Sequence, residues 1–360
     1  MKLTDFLTTD QALVTFLSQL KQVKNSLLTG ASAGAFSLLI KGLVALNEYP
    51  IMLVMPNENK AQTMYAVLNE ALATDQVQLF PVDATLAMQS AVSSPDFLSH
   101  RIQALNFLLS GQAGVVVTTP QGLQYPLSPA KQFASSRVLT PGESYPLGEL
   151  SEWLVAAGYR KENMIARPGE FAIRGDIVDV YPLDRESPIR MEFFGDEIDT
   201  IKTMDLSTQR SGAAITSLKL GSALDRVFTL AQLTQAAKLM QADMAKAPAP
   251  QKDVLAHFGS ALALLSAGSL PDNQAFLVDY LLPEQVSLLS YLAPNGLVLF
   301  DDWSLVQQQV LDNSQLNAGF IKEELQTGAM LPGQKLRLDF FYLMAHDAHH
   351  RLYYSLFQRP

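Results

Sequence analysis

Apolar and polar positions recur with two different spacings along the first 140 or so residues. Segments with helical spacing, such as Leu13, Leu17 and Leu20, alternate with short, almost wholly apolar runs, such as PIMLVMP at 50–56 and GVVVTTP at 114–120. The apolar runs are typical of strands buried on both faces of a parallel sheet, and the helical segments between them are expected to cover those faces. The pattern predicts an α/β domain over residues 1–143.

The pattern changes to a period of two between Glu170 and Asp205. The segments EFAIRG, DIVDVYP, PIRMEFF and DEIDTIKTMD each alternate apolar with polar residues, and Gly175 and Pro182 lie among the residues that separate them. Such segments predict a small antiparallel meander, in which Gly175 supplies a bulge or a positive φ angle between two strands. We assign residues 144–211 to this β-rich domain.

Helical spacing returns after residue 211. A further buried strand, GLVLFDD at 296–302, precedes a long helix near 304–327, and KLRLDFFYL at 335–343 and RLYYSLF at 351–357 are interpreted as strands. Residues 212–360 are therefore expected to complete the α/β domain. The predicted fold is a parallel α/β sheet interrupted by a small β-rich domain.

Composition narrows the possible classes of function. The net charge is −9 and cysteine is absent, so a broad basic surface for nucleic acid, disulfides and thiolate metal sites are not expected. No apolar run approaches the roughly 20 residues that cross a bilayer. The charged start MKLTDFLTTD does not resemble a signal peptide. We expect a cytoplasmic protein with no membrane contact.

The segment LTGASAGAFSLL at 28–39 has the order of a nucleotide-binding P-loop: a strand, a small-residue turn and a helix. A working loop reads GxxxxGK[ST], where lysine neutralises the phosphates and the hydroxyl holds Mg²⁺. Aligned from Gly30, the second glycine is Ala35, the lysine is Phe36 and the hydroxyl is Ser37. Since Phe36 carries no charge, the sequence predicts a vestigial site without nucleotide or catalysis.

Two further groups of polar residues are candidate sites. Asp301 and Asp302 end the strand GLVLFDD, where a P-loop enzyme has its Mg²⁺-binding acidic motif, but without a lysine we expect them to end the strand or cap the next helix. The histidines of HDAHH at 346–350 point apart on a strand or loop, so no metal site is predicted.

The segments GYRKENMIARPGEFAIRGDIVDVYP and PIRMEFFGDEIDTIKTMDLSTQRS resemble the second domain of bacterial UvrB and of the transcription-repair coupling factor. The ending STQRS is more similar to the coupling factor, and the resemblance extends over roughly 10–357. It implies a helicase-like (RecA-like) α/β fold and a UvrB-like module made of domains 1a, 2 and 1b. In that family the chain continues into an RNA-polymerase-interacting domain and an ATP-driven translocase.

The resemblance implies a recruiting role in transcription-coupled nucleotide excision repair, with UvrA as the partner. The contact positions it implies are Lys161, Arg174, Arg190, Glu192 and Phe193. Lys161 and Ala172 replace arginines of UvrB, which weakens the expected contact. RNA polymerase and DNA would be reached only through the other domains, which would also contact this module within one protein. ATP and Mg²⁺ would belong to the translocase part.

Two alternatives remain open at this stage. Arg174, Asp176, Arg190 and Glu192 are also consistent with cross-strand ion pairs on a solvated sheet face. The chain as a whole is alternatively an ATP-dependent, helicase-like or UvrB-type DNA-binding enzyme. Against the second alternative stand Phe36 and the lack of tyrosine in FPVDATLAMQSAVSSPDF at 80–97, where UvrB inserts a tyrosine-rich hairpin that clamps DNA.

Overall fold

The structure, a computed structural model, describes residues 9–90, 95–271 and 274–355. It divides into two compact units. The larger unit contains Met1–His100, Phe107–Pro129 and Phe228–Pro360, and the β-rich unit contains Arg101–Asn106 and Ala130–Val227. The domain boundaries proposed from the sequence, after residues 143 and 211, stay predictions.

A six-stranded parallel sheet forms the core of the larger unit, as the sequence predicts. Its strands lie in the order β1-β14-β13-β2-β4-β3. They are β1 (Asn25–Thr29), β2 (Ile51–Val54), β3 (Val77–Leu79), β4 (Val115–Thr118), β13 (Leu297–Asp301) and β14 (His350–Ser355). Every residue of β2, β4 and β13 is buried, because helices cover both faces of a parallel sheet.

Thirteen α-helices lie within the described residues, and six of them begin directly after a side chain that accepts an amide hydrogen bond from the first turn. The first five are α1 (Gln11–Leu20), α2 (Ala33–Leu46), α3 (Glu58–Asn69), α4 (Leu86–Ser90) and α5 (Pro95–Ser110). The next three are α6 (Pro120–Gln124), α7 (Ala130–Phe133) and α8 (Leu147–Ala156). The last five are α9 (Leu230–Met244), α10 (Gln251–Ser266), α11 (Val278–Leu281), α12 (Trp303–Thr327) and α13 (Phe340–His346).

The β-rich unit is built on a second sheet, with strands in the order β11-β10-β9-β8-β7-β6. These strands are β6 (Arg160–Lys161), β7 (Glu170–Arg174), β8 (Ile177–Val180), β9 (Ile189–Phe194), β10 (Glu197–Met204) and β11 (Ser211–Ala214). From β7 to β11 they pair antiparallel, which confirms the predicted meander. Gly175 turns the chain between β7 and β8 with a φ of +60°, as expected. A separate ribbon pairs β5 (Arg137–Leu139) with β12 (Leu218–Leu220).

One predicted strand was wrong. Residues 335–343 do not form a strand, and helix α13 begins within them at Phe340. The side chain of Asp339 accepts a hydrogen bond from the amide of Tyr342 and so caps the helix. Phe340 and Met344, four residues apart, are the buried positions of this helix. The aromatic residues around Phe340 obscure this helical spacing in the sequence. The capping residue Asp339 was the signal for a helix that the strand prediction missed.

Candidate partner-binding face and degenerate nucleotide loop

The pairing register of the β-rich unit brings charged side chains together on one face of its sheet. Asp179 of β8 lies opposite Arg190 of β9, and Arg190 lies opposite Lys202 of β10. Two residues further along β9, Glu192 pairs with Thr200. Since side chains alternate between faces, these residues share a face with Arg174, at the end of β7. We call Arg174, Asp179, Arg190, Glu192, Phe194 and Lys202 the polar face.

Asp179 is the fixed centre of this face. Its side chain is 1% exposed and accepts hydrogen bonds from both Arg174 and Arg190. Arg190 binds it with two nitrogens, Nε to Oδ1 at 2.6 Å and Nη2 to Oδ2 at 2.9 Å. The third nitrogen of Arg190 donates to the carbonyl of Gln209 at 3.0 Å. Hydrogen bonding to Asp179 raises the pKa of Arg190, so the guanidinium stays charged.

The two arginines differ in exposure and therefore in what they are able to do. The side chain of Arg190 is 12% exposed, whereas that of Arg174 is 43% exposed. Arg190 is thus a support that holds Asp179, and Asp179 in turn orients the guanidinium of Arg174 toward solvent. The sequence also suggested Asp176 as an ion-pair partner of the arginines. Asp176 is exposed, and the strand register places Asp179, not Asp176, opposite Arg190.

A carboxylate and an aromatic ring complete the polar face. Glu192 accepts hydrogen bonds from Thr200 at 2.8 Å and from Lys202 at 3.0 Å. Phe194 is 85% exposed beside Gly195, which turns the chain into β10 with a φ of +62°. Phe193, the position implied by the family resemblance, is only 6% exposed and faces the opposite side of the sheet. The alternation of β9 was the signal that pointed to Phe194.

Lys161 and Ala172 differ in their place relative to this face, since Ala172 lies on it directly opposite Asp179 and Lys161 pairs with a residue of the other face. Lys161 is exposed on the edge strand β6, where it pairs with Phe171 of β7. Ala172 is 1% exposed and packs in a small apolar cluster with Ile165 and Met204. A long side chain at position 172 would not fit that cluster without rearrangement, so a small residue here is part of the local packing.

The hydrogen bonds to Glu192 make a contribution to stability that depends on pH. They hold its pKa below the ordinary value of 4.5, first through Lys202 and then through Thr200. A depressed folded-state pKa stabilises the protein above the unfolded-state value, and that stabilisation is lost as the pH falls through the folded-state value. We expect the wild type to lose its advantage over Glu192→Gln in unfolding free energy below pH 4.5. Denaturant titrations across this range test it, and a pH-independent difference would contradict it.

The loop after β1 keeps the backbone form of a P-loop. Gly30 turns the chain with a φ of +81°, and the side chain of Ser32 caps α2 by accepting the amide of Ala35 at 3.2 Å. Gly34 and Ala35 are exposed, and the hydroxyl of Ser37 donates to the carbonyl of Gly34 at 2.9 Å. The strand, turn and helix predicted from the sequence are therefore present.

Phe36 closes this loop against the sheet. It is 1% exposed and stacks on Tyr354 of β14, with ring centroids 4.0 Å apart. The hydroxyl of Tyr354 donates to the carbonyl of Ala31 at 2.7 Å, which ties β14 to the turn. An aromatic stack therefore occupies the position of the P-loop lysine.

The two aspartates of the acidic motif are tied to neighbouring groups of the larger unit. Lys60 of α3 lies with its Nζ 3.6 Å from Oδ2 of Asp301, whose pKa is raised mainly by burial. Asp302 accepts the amide of Leu305 at 3.3 Å and caps α12 from a left-handed conformation, with a φ of +50°. Asp301 thus ends the strand and Asp302 caps the following helix.

The tie between Tyr354 and the turn gives a stability prediction. Tyr354→Phe keeps the ring stack and removes the hydrogen bond to Ala31, so it should cost about 1 kcal/mol of unfolding free energy. The matched control is Tyr353→Phe, which makes the same change one residue earlier on β14 and removes a hydroxyl for which the described residues show no hydrogen bond. Thermal unfolding of both variants checks the prediction, and equal losses would contradict it.

The polar groups of 346–351 form ion pairs rather than an open ligand set. Asp347 accepts a hydrogen bond from Arg351, and one of its oxygens lies 2.6 Å from Nδ1 of His349. His346 stacks on Tyr342. Within residues 9–90, 95–271 and 274–355, no cluster of three metal-binding side chains occurs. No helix in those ranges is long and apolar enough to span a membrane.

Comparison with known proteins connects the polar face to a family. Residues 138–225 match the family described as the UvrB interaction domain. The chain is 30% identical over 344 residues to the transcription-repair-coupling factor of Bacillus subtilis strain 168, an alignment that covers 94% of this chain and 29% of that protein. The counterpart from Staphylococcus haemolyticus is 26% identical over 343 residues, 93% of this chain and 29% of that protein. The one from Staphylococcus aureus strain Mu50 is 30% identical over 214 residues, 59% of this chain and 18% of that protein.

These alignments agree with the fold. The chain spans less than a third of the length of these relatives. The family match falls on the β-rich unit that carries the polar face, and the longer alignments take in the parallel sheet with its degenerate loop. Residues 138–225 thus match the UvrB interaction domain, and over nearly its whole length the chain is similar to part of the transcription-repair-coupling factors.

Proposed function

We propose that this chain is a recruiting module that binds UvrA through the polar face of its β-rich unit. The observation that carries the proposal is the coincidence of the UvrB interaction domain, residues 138–225, with an exposed arginine and an exposed phenylalanine on one sheet face. In this role the module brings excision-repair proteins to a stalled RNA polymerase. The polymerase and DNA are engaged by parts of the longer protein outside this chain.

The polar face has the chemistry of a protein interface. Arginine and aromatic residues are enriched among the side chains that dominate binding energy, because they combine a large contact area with few lost rotamers or several hydrogen bonds. Asp179 already holds the guanidinium of Arg174, so less conformational entropy is lost when a partner binds it. Lys202 likewise restrains Glu192. The face is therefore prepared for contact before the partner arrives.

The same groups specify the partner surface. Arg174 calls for a carboxylate, Glu192 for a cation, and Phe194 for an apolar pocket of about the size of one ring. Lys161 pairs with Phe171, which faces away from this surface, so of the implied contact positions it is one that this surface does not include. Phe193 has an indirect role, because its side chain is buried on the opposite side of the sheet. There it stabilises β9 and does not reach the partner.

We further propose that the module itself carries out no ATP chemistry. The buried Phe36 and its stack on Tyr354 support this, since a triphosphate needs a cation at that position and space for its oxygens. The helicase-like alternative predicts Mg²⁺-dependent ATP binding with micromolar affinity. Equilibrium dialysis with ATP and Mg²⁺ separates the two, and such affinity would overturn this part of the proposal.

Calorimetric titration of the chain with UvrA tests the main proposal. We expect saturable binding by the wild type and at least tenfold weaker binding by Arg174→Ala, since a charge-assisted contact contributes about 1.5–3 kcal/mol. Lys219→Ala is the matched control, because it removes an exposed cation from β12, which belongs to the other sheet of the same unit. No binding by the wild type, or equal binding by the wild type and Arg174→Ala, would overturn the site.

A further inference from the structure

A separate cavity of about 350 Å³ lies in the larger unit. Ala84, which follows β3, and Gln121, which follows β4 on α6, line it from one side, and α12, which follows β13, lines it from another. In parallel α/β sheets, ligands bind in crevices beyond the carboxyl ends of the strands. The cavity has this position, and its volume falls in the lower range of small-molecule sites.

Two side chains of the cavity wall are buried without a partner for their amide nitrogens. Gln121 is 4% exposed and Asn313 is 5% exposed. In the described part of the chain, neither Nε2 of Gln121 nor Nδ2 of Asn313 has a hydrogen-bond acceptor. A buried donor left in this state is destabilising. Two such donors around one cavity indicate that this wall has a binding role in addition to packing.

The neighbouring carboxamides are already paired, so the two free donors are a local exception. Nε2 of Gln124 donates to the carbonyl of Leu338 at 3.1 Å, and Gln334 donates to the carbonyl of Phe276. Oδ1 of Asn317 accepts the amide of Leu86 at 2.8 Å. The oxygen of Asn313 is also engaged, by Nε2 of Gln309 at 3.2 Å, so the nitrogen is the group that Asn313 has left to offer.

The remaining wall sets the charge and shape of a fitting molecule. Lys335 and Arg337 bring two cations to the lining, and Asp339 brings one carboxylate, which already caps α13. Arg337 is held in place by the carbonyl of Asp83 at 3.0 Å. Side chains of Leu86, Val310, Ile321 and Leu336 supply the apolar part of the lining. Donors and excess positive charge favour an oxygen-acceptor group, and the apolar part favours a hydrocarbon body.

We propose that this cavity binds a small organic carboxylate, with its carboxylate oxygens on Gln121 and Asn313 and its hydrocarbon body against the aliphatic wall. Both residues line the cavity, and the terminal torsion of a carboxamide is broad, so each nitrogen turns toward a ligand by rotation about that torsion. Such a ligand would bind independently of UvrA, since the cavity belongs entirely to the larger unit.

Three probes of nearly equal size separate this proposal from non-specific binding. Benzoate offers only acceptors, benzamide offers one acceptor and donors, and benzamidinium offers only donors. Titration of the isotopically labelled chain, followed by amide chemical shifts, should rank them as benzoate, benzamide and then benzamidinium. The shifts should cluster at the residues that line the cavity. An equal response to all three probes, or no benzoate response there up to about ten millimolar, the weak end of fragment affinity, would overturn the proposal.

Isosteric substitutions supply the decisive comparison. Asn313→Asp and Gln121→Glu replace the free donor by an acceptor of the same shape, so each should weaken benzoate at least tenfold and strengthen benzamidinium. Gln315→Glu makes the same chemical change on an exposed position of α12 and should leave both affinities unchanged. If Asn313→Asp is unfolded, Gln121→Glu alone decides. Unchanged ranking in a folded variant would overturn the proposal.

Discussion

Replacing Arg190 by methionine should lower the unfolding free energy of the β-rich unit by about 3–5 kcal/mol, since it leaves a buried carboxylate without its principal partner. Asp179 is 1% exposed and receives two of the nitrogens of Arg190. Methionine keeps much of the side-chain volume, so most of the loss reflects the unpaired charge and not a cavity. The exposed Arg174 covers only one oxygen of Asp179 and does not compensate.

The matched control is Arg174→Met, which makes the same chemical change on the other arginine of Asp179. Its side chain is 43% exposed, so the loss should stay near 1 kcal/mol. Urea denaturation followed by the fluorescence of Trp153, in a Trp303→Phe background, reports on the β-rich unit alone, because the two tryptophans belong to different units. Equal losses from both substitutions would contradict the assignment of Arg190 as the support.

The double variant Arg174→Ala and Phe194→Ala should weaken UvrA binding by at least about 100-fold, or roughly 2.7 kcal/mol. Each side chain is an exposed part of the polar face and neither stabilises the core, so the variant should stay folded. Raising the salt concentration should shrink the effect of Arg174→Ala and leave that of Phe194→Ala unchanged, because only the first is electrostatic. Calorimetry at two salt concentrations measures both effects.

The control for this pair is Lys219→Ala with Val138→Ala, which removes an exposed cation and a 58% exposed apolar side chain from the β5–β12 ribbon of the same unit. It should bind UvrA as the wild type does. Equal losses from the control and the double variant would mean that binding depends on the unit as a whole. Full binding by the double variant would place the contact on another surface.

Sequence alone predicted most of the architecture, because strands buried on both faces and strands buried on one face differ in their pattern of apolar residues. The first are apolar throughout, and the second alternate apolar with polar residues. Runs such as PIMLVMP predicted β2, and the alternation of PIRMEFF predicted β9 together with its two faces. The failure at 335–343 has a local cause. The run KLRLDFFYL is apolar at nearly every second position, and only the capping side chain of Asp339 shows that the chain turns into α13.

The candidate site was predictable in its residue types but not in its roles. Arg174 and Arg190 looked equivalent in the sequence, and the structure separates them into an exposed side chain and a buried support of Asp179. That difference depends on Asp179, whose importance follows from pairing register across three strands. Similarly, the sequence showed that Phe36 replaces a lysine, but its partner Tyr354 lies near the other end of the chain, where spacing gives no signal.

Hydrogen exchange with and without UvrA tests the central claim most directly, since it asks which backbone amides the partner covers. We expect slower exchange in the chain around Arg174 at the end of β7 and in the hairpin around Phe194. The P-loop-like turn at 30–36 should exchange as it does in the free protein. Protection confined to the larger unit, with none in β7 to β10, would contradict the proposal that the polar face binds UvrA.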